Sequence, residues 1–233
     1  MKKIASYILF FFSVCDVFSQ RTNDSLKIKL KAIQPYHVVL KTNPLNMLVG
    51  CIPFTSEYKV QNEYTILPHQ SVQFGISYLG KGLLLKMAEN AANRRPKNKS
   101  EINYYAKGFN IQYAHRFYLN NKKNESSNQY APFGFYCGPM ISFARAKIGI
   151  KNNTLSNNYI MASNIQICWM GGYQNSLSDR FIFDVYLGMG YKNNQLTEYN
   201  SRRGRKTLPI KDVPFYGNNF KLILGVSLGF AFK

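Results

Sequence analysis

The sequence predicts an all-β fold of eight antiparallel strands in an up-and-down meander, and three observations carry that prediction. Strand-length segments alternate large apolar with small or polar residues, most plainly in Asn219–Lys233. There Phe220, Leu222, Leu224, Val226, Leu228, Phe230 and Phe232 share one face, and Lys221, Ile223, Gly225, Ser227, Gly229 and Ala231 share the other, mostly small one. Mean hydropathy is only −0.26, and no apolar run beyond the first residues approaches a membrane helix. A strand wall with polar residues at every second position is compatible with both facts. Aromatic residues make up 15% of the chain, with 17 Tyr and 17 Phe, which suits two interfacial girdles. Together these features predict a transmembrane β-barrel whose lumen is filled by side chains, because eight strands enclose too narrow a space for a water channel.

Each element follows from the same alternation. The first strand is read over Tyr36–Gly50, with Pro44 marking a bulge or irregular half, and the second over Pro53–Glu63. The third is Ser71–Gly80, the fourth Ile102–Leu119, and the fifth Ala131–Ile148 with Phe133, Phe135, Cys137, Ile141 and Phe143 outward. The sixth is Asn158–Tyr173, the seventh Arg180–Lys192, and the terminal segment is the eighth. Turns are expected at Gln61–Gln70, Asn120–Tyr130 and Gln174–Asp179 on one side of the membrane. Loops at Gly50–Ile52, Lys81–Glu101, Gly149–Asn157 and Asn193–Gly217 are expected on the other.

The beginning of the chain predicts export. Lys2 and Lys3 precede an apolar stretch, Ile4–Val14, and Val17-Phe18-Ser19 places a cleavage site before Gln20. Residues 1–19 are thus expected as a signal peptide, 20–35 as a short periplasmic segment, and 36–233 as the barrel. Cys15 raises a lipoprotein alternative, with Val where a lipobox requires a small residue. Cys51, Cys137 and Cys168 are an odd, widely spaced set, which is neither a disulfide framework nor a metal site. The expected location is the outer membrane of a Gram-negative bacterium. The expected partners are its lipid and lipopolysaccharide, together with the barrel-assembly machinery. The final Phe-Ala-Phe-Lys resembles the terminal strand which that machinery reads.

Residues 40–60, LKTNPLNMLVGCIPFTSEYKV, resemble the opening hairpin of small outer-membrane proteins of Bacteroidota in a group with a domain of unknown function (DUF3575). The matching positions are Lys41, Asn43, Pro44, Leu45, Glu57 and Tyr58. The resemblance implies an eight-stranded barrel, distantly like the OmpA transmembrane domain, with no catalytic residues to transfer.

Parity places Lys41, Glu57, Lys59, Arg116 and Asp184 inside, amid Asn43, Asn110, Gln112, Asn164 and Gln166. Buried charges must be paired, so these residues are expected to form a plug of ion pairs, with a narrow gated ion path as the alternative. The formal net charge is +19. Part of it falls in two expected outer loops, as Arg94, Arg95 and Lys97 and as Arg202, Arg203, Arg205 and Lys206. Such runs would attract lipopolysaccharide phosphates, and a lysine-rich composition tolerated by solvated loops explains them equally. Nucleic acid is not an expected partner of an exported chain. The oligomeric state expected is a monomer. No cofactor and no metal are expected. A lipid A-modifying enzyme is the third reading. It would need a catalytic His near the outer leaflet, whereas His37, His69 and His115 fall toward the periplasmic side, so no enzyme activity is expected.

Overall fold

In the computed structural model the described residues are 37–48, 50–93, 103–119, 131–150, 158–178, 180–200, 204–209 and 216–232. The expected signal peptide and periplasmic segment lie outside them. Among the described residues nine strands form one antiparallel sheet: β1 (Val38–Thr42), β2 (Thr55–Leu67), β3 (Gln70–Lys81), β4 (Tyr104–Tyr118), β5 (Gly134–Ile150), β6 (Tyr159–Ser176), β7 (Phe181–Asn200), β8 (Gly204–Thr207) and β9 (Phe220–Phe232). Its hydrogen bonds close into a ring. β1 pairs with both β2 and β9, and β7 pairs with β6 and with β9. β8 pairs with β7 alone, as a short hairpin arm. The count of eight strands is therefore corrected to nine, because β7 runs on to Asn200 and Gly204, at φ +74°, begins a short partner strand.

The ladder fixes the geometry of the ring. Stepping from Lys41 through Gln61, Gly75, Gln112, Ser142 and Gln166 arrives at Lys192 on β7. Stepping the other way, through Gly229, arrives at Ile182, ten residues earlier on the same strand. With a rise of about 3.3 Å per residue and strands about 4.8 Å apart, a stagger of ten over eight paired strands tilts them by about 40° around a radius of about 8 Å. At that tilt the outward row Phe220–Phe232 spans about 30 Å along the ring axis.

Alternation then sorts the side chains. Phe74, Ile76, Ile111, Ile165, Ile167, Trp169, Leu187, Leu222 and Leu224 are all exposed on the outside, while Gln73, Asn110, Asn164, Asp184, Arg116 and Lys41 are buried inside. The sheet is thus apolar outward and polar inward, the reverse of a soluble sandwich.

Several boundaries differ from the sequence expectations. β1 stops at Thr42, and Pro44 begins a single 3-10 turn, Leu45–Met47, so the expected strand to Gly50 is cut to 5 residues. β2 and β3 instead run long and meet at a Pro68–His69 turn, where the sequence suggests a connection over Gln61–Gln70. The expected loop after β3 holds a helix, α1 (Leu83–Asn93). Phe133 does not face outward: it is buried with Val39, Ile182 and Ala231. Gly134, at φ +99°, turns the backbone before β5 and brings that aromatic side chain under the near end of the interior, the end where Val38 and Phe232 pair.

Candidate functional site

Four charged side chains from four strands meet near the Phe133 floor. Lys41 Nζ lies 2.5 Å from Glu63 Oε2 and 3.0 Å from Asp184 Oδ2. Arg116 reaches Asp184 Oδ2 at 2.9 Å and Glu63 Oε2 at 3.5 Å. Gln174 Oε1 accepts from both cations. The remaining carboxylate oxygens accept from Tyr136 Oη on Asp184 at 2.7 Å, from Tyr118 Oη on Glu63 at 2.6 Å, and from Ser71 Oγ on Glu63. The Arg116 guanidinium stacks over the Tyr136 ring, 4.2 Å from its centroid. All four charges are buried, so the cluster survives only because two cations and two anions balance and share their donors.

Nearer the far end a second, smaller group forms. Lys59 Nζ lies 3.1 Å from Glu57 Oε1 and donates to Gln112 Oε1 at 2.8 Å. Glu57 also accepts from Ser77 and Asn110, both at 2.7 Å, from Asn46 Nδ2 at 3.0 Å and from the Cys51 backbone N–H at 3.3 Å. Asn43 Nδ2 donates to Tyr186 Oη at 2.9 Å between the two groups. Tyr186 fits there because Gly225 faces it: a Cβ on Gly225 would stand 2.2 Å from Tyr186 Cζ. An apolar roof of Ile52, Leu79, Ala144, Ala146, Ala162, Leu196 and Tyr216 follows.

The five residues selected by parity thus occupy two separate groups. Lys41, Arg116 and Asp184 meet, as do Glu57 and Lys59. Glu63 completes the larger group and is absent from the parity selection, although it continues the inward series Glu57, Lys59, Gln61. The sequence reading ends that strand at Glu63 and begins a turn at Gln61. Of the cationic loop residues, Arg94, Arg95, Lys97, Arg202 and Arg203 lie outside the described residues. Arg205 and Lys206 are exposed on β8, with the Arg205 guanidinium 5.8 Å from the Tyr199 ring centroid.

Gly225-Val226-Ser227-Leu228-Gly229 has the Gly-x-Ser-x-Gly spacing, but it lies within β9 and not on a strand-to-helix turn. Ser227 is buried opposite Asp184, while His115 faces outward against Phe117. His69 stands two residues before Ser71, whose hydroxyl is buried on Glu63. Among the described residues no His, Cys, Asp and Glu cluster suits a metal, and Cys51, Cys137 and Cys168 are free thiols.

No family model matches the chain, and no curated protein matches it. The likeness of residues 40–60 to the DUF3575 group therefore stands without a matching family. A solved structure, described as that of a major outer membrane protein from Thermus thermophilus, aligns with a TM-score of 0.44 and 12% identity, over 84% of this chain and 98% of that one.

Proposed function

We propose that the chain is an integral outer-membrane protein, an eight-strand transmembrane barrel with a β8 arm and a closed lumen, serving a structural and surface-interaction role without catalysis. One observation carries this reading: the outward face of the ring is predominantly apolar, with a β9 row about 30 Å tall, while the inward face holds paired charges. A water-facing protein would leave that outward face exposed at a large cost. The two ion-pair groups lie in succession between the Phe133 floor and the Ile52 roof, which favours a plug over an ion path. Most of the excess positive charge falls elsewhere. The buried Lys41, Lys59 and Arg116 are matched by Glu57, Glu63 and Asp184, which leaves Arg205, Lys206 and the other loop cations to meet anionic lipopolysaccharide groups.

The test is site-directed labelling of the full chain folded into phospholipid vesicles. Cysteines placed at Ile76, Ile111 and Ile165 are expected to resist a water-soluble maleimide in lipid and to react once the protein is unfolded. Reaction in intact vesicles would sink the membrane reading. Planar-bilayer recording is expected to show no steady conductance. Neutralising Arg94, Arg95, Arg202, Arg203 and Arg205 together is expected to weaken lipopolysaccharide binding and flatten its salt dependence. Equal affinities would leave the positive charge as a solvated surface.

A further inference from the structure

The wall of the ring is interrupted at one place, and the interruption joins the interior to the outward face. β1 ends at Thr42, so β9 has a β1 partner only from Leu228 to Phe232. The cause is local: Pro44 lacks an N–H for a ladder and its fixed φ of −67° enters the 3-10 turn. Beyond it, among the described residues, no main-chain hydrogen bond links residues 43–54 to Phe220–Ser227. On the other edge of β9 the pairing with β7 is unbroken from Phe220 to Phe230. Irregular backbone at membrane depth is tolerated where it lines a cavity, and a cavity of about 360 Å³ lies at this notch.

The lining of that cavity has two characters. Glu57, Lys59 and Gln112 border it from the lumen, while Leu45, Leu48, Leu222 and Leu224 border it from outside. Those four leucines are 41%, 59%, 59% and 65% exposed. Between the two sets stands Lys221, inward by parity and half-buried. Lys59 is matched by Glu57, but among the described residues Lys221 has no carboxylate within ion-pair reach. One void therefore offers an unmatched cation beside an apolar trough that opens sideways. That combination suits a molecule with one anionic head and one hydrocarbon tail.

We propose that the notch binds a long-chain fatty acid drawn laterally from the bilayer, with its carboxylate at Lys221 and its chain along Leu45, Leu48, Leu222 and Leu224. The inference rests on the membrane reading above, and the experiment separates the two. The full chain is folded into phosphatidylcholine vesicles and irradiated with a palmitate carrying a diazirine on its chain, and the adducts are mapped by peptide. Adducts are expected to concentrate on residues 45–52 and 220–224, and unlabelled palmitate is expected to displace them while its methyl ester displaces them at least about tenfold less well. Lys221→Gln is expected to weaken capture by about the same factor. Leu48→Asp, on an exposed turn that the ring does not need for closure, is expected to abolish it while heat-modifiable migration stays unchanged. Adducts spread evenly around the outward belt would overturn the site and leave the membrane reading intact. Absence of adducts from every outward residue would overturn both. Equal displacement by acid and ester would remove the role of Lys221 and with it the proposal.

Discussion

The two ends of the interior are built from the same chemistry with different walls. At the near end Lys41, Glu63, Arg116 and Asp184 sit behind a continuous ladder, over a floor of Val39, Phe133, Ile182 and Ala231. Toward the far end Glu57 and Lys59 sit beside a notch, held partly by Asn46 and Cys51 from an irregular segment. The near group resembles a sealed joint, in which every charge depends on its neighbours. The far group borders a void and has room for other partners. Where strands pair without interruption, polar burial rigidifies; where Pro44 breaks one strand, the same polarity becomes accessible.

The largest expected effect tests the sealed half. Asp184→Asn leaves Lys41 and Arg116 sharing Glu63 alone, and removing one partner from a buried pair costs about 3–5 kcal/mol. Urea unfolding of the protein in vesicles measures it. The companion change at the far end, Glu57→Gln, is expected to cost about 1–3 kcal/mol, because Lys59 keeps Gln112 and borders the void. Equal losses for the two variants would erase the distinction between the halves.

The outer wall offers a second comparison. Ile111 stands on β4 between two full ladders, and on the proposed membrane reading Ile111→Arg is expected to cost up to about 2–4 kcal/mol, according to its depth in the bilayer. Leu224 is more exposed, at 65%, but it borders the notch. An arginine there can turn its head toward the polar cavity, so Leu224→Arg is expected to cost no more than about half as much. Leu224→Arg costing as much as Ile111→Arg would mean that the notch is closed in the membrane.

Much of this arrangement is legible from alternation. The outward positions of Phe74, Ile111, Ile165 and Leu224, and the inward ones of Gln73, Asn110, Asn164 and Asp184, follow from the period of two. Alternation assigns faces, however, and says little about ends. Glu63 escapes it because polar residues after Glu57 look the same in a strand and in a turn. Phe133 falls outward only if parity is carried across Gly134, where a positive φ resets it. The β8 arm, GRKT, is too short for a period to register, and α1, LLLKMAENAAN, is rich in Leu and Ala but lies where the strand alternation lapses and a loop is read. The notch itself needs the ladder: Pro44 suggests an irregular half-strand, but only the missing partner of β9 shows what the irregularity opens.

The smallest expected effect lies outside the ring and gives a control for both halves. Glu89 of α1 accepts from Lys81 at 2.5 Å and from the Tyr104 backbone N–H at 2.7 Å, tying the helix to the ends of β3 and β4. The Lys81 hydrogen bond, with that from Tyr104, holds the Glu89 carboxyl below its ordinary range. A depressed carboxyl pKa makes a stabilising contribution that is present above the ordinary value and lost as pH falls through the depressed one. Protection of the Leu83–Asn93 amides, relative to their intrinsic exchange at each pH, is therefore expected to fall on acidification through that window. Glu89→Gln is expected to remove most of this pH dependence, while the urea midpoint of the ring stays the same. The pair is partly solvated and screened by salt, so the effect is expected to shrink at high ionic strength. Protection that does not change with pH would mean α1 is held by Leu85, buried at 7%, and not by the ion pair.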